Sequence, residues 1–248
     1  MSFLKKIATK LIHWYIAPLE WNYKLALYAK GRLLHFKEEH ILSFVDYVKK
    51  NEKLNPDEWI LDAGVYYGGV SSLFASHFAA HKIIGFEPIP KHYTAAKTNC
   101  ARFPNITLHN KALSDTTGQQ NFHVATNSSA SSLNPIAQSD RYTLSETIAV
   151  ETVTLNDFLP PTQKVLCLKL DIEGYELAVL QAGQDALQRV RYIIAEMNNH
   201  HEHSGECQYY EVDAFLRAQN FKLIIIRAGY NDEGLMQYDA VYKNMGLI

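Results

Sequence analysis

Cysteine is scarce: Cys100, Cys167 and Cys207 stand alone among 248 residues. An odd number, widely spaced and without a CxxC pair, supplies neither a disulfide framework nor a zinc site and fits a reducing cytoplasm best. Long apolar runs are lacking too. None approaches the ~18 residues a membrane-spanning helix needs, and the core of a would-be signal segment is broken by His13 and Pro18. Basic charge is not in excess, since 24 Lys and Arg face 26 Asp and Glu with both signs scattered. That balance leaves no electrostatic footprint for a phosphate backbone, so nucleic acid is not an expected partner. No repeat period or low-complexity tract is present, which excludes solenoids and disordered tails.

What remains is a chain with 47% hydrophobic residues, long enough to bury one substantial α/β core. Residues 2 to 16 carry Phe3, Leu4, Ile7, Ala8, Leu11, Trp14 and Tyr15 on one helical face and Lys5, Lys6, Thr9, Lys10 and His13 on the other. Such a basic amphipathic helix lies either on a membrane surface or on its own domain or a partner subunit. The expected plan is an N-terminal helical extension over residues 1–50 and a main domain over 51–248, cytoplasmic with an option of peripheral membrane contact. Oligomeric state is unreadable.

The main domain is organised around Trp59 to Phe74. Trp59–Asp62 reads as a buried strand, the spacing D-x-G-x-x-x-G from Asp62 through Gly64 to Gly68 as a tight turn, and Val70 onward as a helix. Glycine allows close approach and a helix start offers free amides, so the turn reads as a cofactor cradle. The spacing departs from the G-x-G-x-x-G of dinucleotide folds, which tilts it away from NAD. A second strand ends at Phe86-Glu87-Pro88, where doubly wound folds place an acid that takes both ribose hydroxyls. Strands follow at Ile106–Asn110, Gln119–Thr126 (an insertion) and Ile148–Leu155, with a serine-rich stretch from Asn127 toward Ser145 that reads as a lid, a substrate loop or a linker. The apolar run Lys164 to Asp171 predicts a central strand covered on both faces, leading into Ile172-Glu173-Gly174-Tyr175-Glu176. Right-handed crossovers bring the Asp62 and Asp171 turns to the same crevice. Two facing acids suit a cationic sulfonium better than a pyrophosphate. Strands at Tyr192–Met197, Phe221–Arg227 and Met236–Tyr242 close the sheet, the last two as an antiparallel hairpin.

Asp62-Ala63-Gly64 to Gly68, Gly85-Phe86-Glu87-Pro88, Ala112-Leu113-Ser114-Asp115 with Gly118, Thr154 to Phe158 and, most specifically, Lys169-Leu170-Asp171-Ile172-Glu173-Gly174-Tyr175-Glu176 resemble the FkbM-type family of S-adenosylmethionine-dependent methyltransferases. The resemblance implies a class I methyltransferase (Rossmann-like) fold, with a seven-stranded, mostly parallel sheet whose last strand is antiparallel. It also implies O-methylation of a hydroxyl on a small molecule or a sugar or glycan precursor. By that likeness Asp62, Gly64 and Gly68 hold the methionine portion, Glu87 the ribose and Ser114-Asp115 the adenine edge, while Asp171 and Glu173 flank the transferring methyl. Tyr66 joins the cofactor-facing residues through its place in the cradle. Val65, Tyr66 and Tyr67 depart from the small residues usual there; they either narrow the cofactor site or face the substrate cleft. If they prevent turnover, the chain is a non-catalytic methyltransferase-like scaffold.

Asp171, Glu173 and His200 are the catalytic candidates. Glu173 has a plainer alternative as a helix cap. His200 belongs to Asn198 to His203, which flanks the crevice as a base, a substrate contact or a solvated loop. Histidines with Glu196, Glu202 and Glu206 nearby permit a divalent metal, but without zincin spacing no metal ligand is assigned. Asp62→Ala is expected to abolish cofactor binding with little unfolding.

Overall fold

In a computed structural model, residues 39–137, 143–198, 203–231 and 234–247 are described. The expected amphipathic helix over residues 2–16 and the stretch to Phe36 lie outside them. Helix α1 (Glu39–Asn51) buries Ile41, Phe44, Val45 and Val48, and the Asn55-Pro56-Asp57 turn, with the Asn55 Oδ1 accepting from the Asp57 amide at 3.1 Å, sends the chain into β1 (Trp59–Ala63). Alternating helices and parallel strands follow: α2 (Gly69–His77), β2 (Ile83–Phe86), α3 (Pro90–Cys100, with proline in its first turn) and β3 (Ile106–His109).

The chain then builds a separate three-stranded sheet from β4 (Ala112–Leu113), β5 (Gly118–Ala125) and β6 (Leu144–Val153). β4 was not anticipated, because two residues carry no periodicity. β6 starts before the predicted Ile148 because its solvent-facing first half pairs with β5 despite being polar. Thr154 caps the short α4 (Leu155–Phe158), its hydroxyl accepting from the Asp157 amide at 3.0 Å.

β7 (Val165–Leu170) follows, all six residues buried, then α5 (Glu176–Ala182), α6 (Gln184–Leu187), β8 (Val190–Asn198), α7 (Tyr209–Ala218), β9 (Phe221–Asn231) and β10 (Gly234–Asn244). The main sheet runs β3-β2-β1-β7-β8-β10-β9. Only β10, the last in sequence, is antiparallel, and it inserts between β8 and β9. The expected seven-stranded sheet is therefore present. Strand order reverses between β1 and β7, which pair in parallel, so their carboxyl ends open the crevice where ligands of doubly wound sheets sit.

Candidate active site at the carboxyl ends of β1 and β7

Register decides the centre of this site. Asp62 on β1 lies opposite Lys169 on β7, and Asp171 follows two residues later, so one lysine faces both acids. The Lys169 ammonium, buried with the rest of that side chain, stands 3.2 Å from Asp62 Oδ1 and 3.1 Å from Asp171 Oδ2. It also donates to the Gly64 carbonyl at 3.2 Å, and the Ser71 hydroxyl donates to Asp62 Oδ2 at 2.6 Å. Burial alone would depress this ammonium, but Asp171 and Asp62 together hold it above the usual lysine range. Burial likewise raises the Asp171 carboxyl, and Lys169 more than offsets that, leaving it below the usual carboxylate range.

Two corrections follow. The facing aspartates are not a bare pair of negative charges, because Lys169 neutralises one of them; this weakens the charge argument against a pyrophosphate. Asp62 is also part of the fold: it is buried, holds the Ser71 hydroxyl and shares Lys169 with Asp171, so Asp62→Ala is expected to lower stability as well as cofactor binding, with Asp171 keeping the ammonium paired. Sequence reasoning quoted Lys169 without giving it a role. The available signal was a lysine inside an otherwise apolar strand, which must find a counter-charge.

Gly64 and Gly68 have φ of +80° and +88°, a region that favours glycine. A Cβ on Gly64 would stand 1.9 Å from the Asp171 carbonyl oxygen, and one on Gly68 would stand 2.5 Å from Cys100 Sγ. Both glycines therefore bring protein against protein: they seat the Asp62 turn on the Asp171 turn and on α3. Val65 is buried and reaches toward Gly85, where an added Cβ would meet its Cγ2 at 2.6 Å. Tyr66 and Tyr67 are part-exposed, their rings 4.1 Å apart, each packed edge-on to buried His92. Tyr66 takes φ +53°, rare for a bulky residue, and its amide donates to Glu87 Oε2 at 2.8 Å. Ile89 donates to Glu87 Oε1 at 2.9 Å. Glu87, predicted for ribose, is thus buried and fixed by two loop amides; a carboxylate retains further acceptor positions.

Ser114 is buried and its hydroxyl donates at 3.0 Å to Asp115 Oδ1, while Asp115 is exposed. On the other side of the crevice, Glu173 takes φ +56° and Gly174 φ +85°. The carbonyls of this turn are held from outside: Ser132 Oγ donates to Glu173 O at 2.8 Å and Asn134 Nδ2 to Gly174 O at 3.0 Å. The serine-rich stretch is consequently a strap on the acid turn over its described part, with Ser131, Ser132 and Asn134 buried. The amide of Ile172 is taken by Glu176 Oε1 at 3.0 Å, and burial pushes this enclosed carboxyl up to about 7.

Asp171, Glu173 and Glu196 each place one carboxylate oxygen within 4.8 Å of the others. Burial, then the charges of Asp171 and Glu173, hold Glu196 well above the usual glutamate range; the spacing also admits one divalent cation. Asp239, opposite Glu196 in the register, pairs with His40 at 3.0 Å. Asp62 lies at the carboxyl end of β1, and Glu87, Asp115, Asp171 and Glu173 sit in the turns that follow β2, β4 and β7. His200 lies outside the described residues; from the same segment His203 is buried, with Nε2 3.0 Å from the Ala130 carbonyl.

With this geometry in hand, comparison with known proteins is informative. The sequence model of the methyltransferase FkbM domain matches residues 62–223. The chain belongs to the FkbM methyltransferase family. It is 24% identical over 164 residues to the 2-O-methyltransferase NoeI of Sinorhizobium fredii, covering 61% of this chain and 68% of that one. The crystal structure of methyltransferase FkbM from Methylobacillus flagellatus superimposes with a TM-score of 0.50 at 12% identity, covering 78% of this chain. This chain spans 45% of that structure, and at such identity the likeness concerns the fold. Among the described residues no helix is long and apolar enough to cross a membrane.

Proposed function

We propose that this FkbM-family chain is an S-adenosylmethionine-dependent O-methyltransferase acting on a hydroxyl of a small molecule or a sugar or glycan precursor. The observation that carries the reading is the acid surplus at the β1/β7 crevice: a single buried ammonium faces Asp62 and Asp171, with Glu173 and Glu196 beside them. The donor set fits the cofactor. Glu87 offers an acceptor for ribose hydroxyls, Asp115 an exposed carboxylate for an amine, and the crevice a net negative field for a cationic centre. Bound there, S-adenosylmethionine supplies a methyl group on a positively charged sulfur.

This chain's own residues orient and hold protons. Asp171, kept ionised by Lys169, accepts a hydrogen bond at its outward oxygen, and Glu173, presented on a left-handed turn pinned by Ser132 and Asn134, is the second acceptor for the substrate hydroxyl. Alignment of a bimolecular displacement contributes ~7–11 kcal/mol and a general base only about 10²–10⁴-fold, so a rigid strap matters as much as any one base. The alternative of a non-catalytic scaffold had its motive in the Val65-Tyr66-Tyr67 turn. That motive weakens with Val65 in the core and the tyrosine rings packed on each other and on His92. The O-methylation reading gains from the name of the Sinorhizobium relative.

Equilibrium titration with S-adenosylmethionine and NAD is the first test, and binding of NAD alone would overturn the reading. Incubation with methyl-labelled cofactor and a panel of hydroxylated sugars and metabolites, including molecules carried through purification, should then yield label in an alkali-stable ether. Label recovered only on nitrogen or carbon would refute O-transfer.

A further inference from the structure

Tyr175 stands in the turn that carries Asp171 and Glu173, yet its hydroxyl leaves that turn and donates to Asp115 Oδ1 at 3.0 Å, sixty residues away in sequence. The same oxygen receives the Ser114 hydroxyl at 3.0 Å and Gln120 Nε2 at 3.3 Å. Among the described residues no side chain of another residue donates to Oδ2. A carboxylate with one oxygen saturated has lost its rotational freedom, and its second oxygen points in one fixed direction. The tyrosine ring is anchored as well: it packs against both the main core and the small cluster of Ile89, Ala112, Phe122, Val124, Leu133 and Val150. Ile89, a member of that small cluster, donates its amide to Glu87 Oε1 at 2.9 Å, so one residue links the ring's packing to the proposed ribose acceptor.

We infer that Tyr175 is a positioning residue for the nucleoside base: it pins Asp115 Oδ1 so that Oδ2 accepts from the 6-amino group of the cofactor's adenine. The inference rests on the cofactor reading above and adds to it a residue, outside the Ser114-Asp115 segment, that sets the direction of the acceptor. Burial and the hydrogen bond to Asp115 push the Tyr175 hydroxyl up to about 12, so it remains a donor at neutral pH. The link also ties the base end of the cofactor site to the turn at its methyl end.

The test is calorimetric titration of S-adenosylhomocysteine and its 6-oxo (inosine) analogue into the full chain, wild type and Tyr175→Phe. Wild type should prefer the adenosyl compound. Tyr175→Phe, which retains the ring, should weaken adenosyl binding about tenfold and leave the inosine analogue within about twofold. Ser114→Ala, removing another donor to the same oxygen, should show the same selective loss to a smaller degree. In an Asp115→Ala background, Tyr175→Phe should have no further effect. Equal weakening of both compounds in both single variants, or no weakening in either, overturns the role of Tyr175 and leaves the cofactor reading standing. Failure of wild type to bind either compound overturns the cofactor reading itself.

Discussion

The two ends of the main sheet hold buried charge in opposite ways. At the amino ends of β1 and β8, Arg191 bridges Glu58 at 2.8 Å and Glu52 at 2.6 Å, while Lys243 reaches Glu52 at 2.7 Å. Two acids meet two cations there, and Tyr192 completes the set by donating to Glu52. At the carboxyl ends, Lys169 faces both Asp62 and Asp171, and Glu173 and Glu196 bring further carboxyl groups without, among the described residues, a second ammonium at the cluster. Backbone follows the same division. Tyr66 and Glu173, two of the three non-glycine residues with positive φ among the described residues, lie at the carboxyl end. A balanced, closed network stabilises; an unbalanced one with strained turns is a region the fold must hold in place, and such regions gather at functional sites.

The largest way to break this comparison is Lys169→Met. It leaves the buried Asp62 carboxylate without its cation and facing the half-exposed Asp171, and should cost about 3–5 kcal/mol in denaturant unfolding. Lys243→Met at the amino end, whose side chain is 23% exposed, should cost under about 1 kcal/mol, and equal losses would erase the distinction.

Next in size is Glu173→Gln. With an acceptor in hand, kcat should fall on the order of 10²-fold while affinity for S-adenosylhomocysteine stays within about twofold. Glu52→Gln should do the reverse, lowering stability without altering turnover per folded molecule. A Glu173→Gln enzyme with full kcat would remove that side chain from the chemistry.

Glu176 sharpens the comparison through pH. Its folded carboxyl sits at about 7 against an ordinary value of 4.5, so the folded state holds the proton more tightly. The stabilisation this gives is complete below about pH 4.5 and is lost as pH rises through about 7. Across that window wild type should lose roughly 2–3 kcal/mol that Glu176→Gln does not lose. Parallel curves from urea titrations at pH 4.5, 6 and 7.5 would show that Glu176 is not enclosed.

Much of the sheet was legible because burial writes itself into composition. The six residues of β7 are apolar except one, and the Asn55 and Asn231 turns mark where the chain changes direction. The positions of Asp62 at the end of a strand and of Glu87 and Asp171 just after strands were legible from the apolar runs that precede them. Lys169 was not given its role because that depends on the register Asp62↔Lys169, a long-range pairing that spacing along the chain does not contain. The strap was missed for a similar reason: Ser132 and Asn134 look like loop residues until their bonds to the Glu173-Gly174 turn are seen. For the glycines, position was readable but purpose was not, since only the folded chain reveals that protein fills the space beside them.

The central claim is that S-adenosylmethionine sits at the carboxyl ends of β1, β2 and β7 with its ribose on Glu87. Calorimetric titration of S-adenosylmethionine into wild type and Glu87→Gln tests it most directly. The account predicts one site per chain in wild type and at least about tenfold weaker binding in the variant. No binding by wild type, or equal affinity in both proteins, would contradict it.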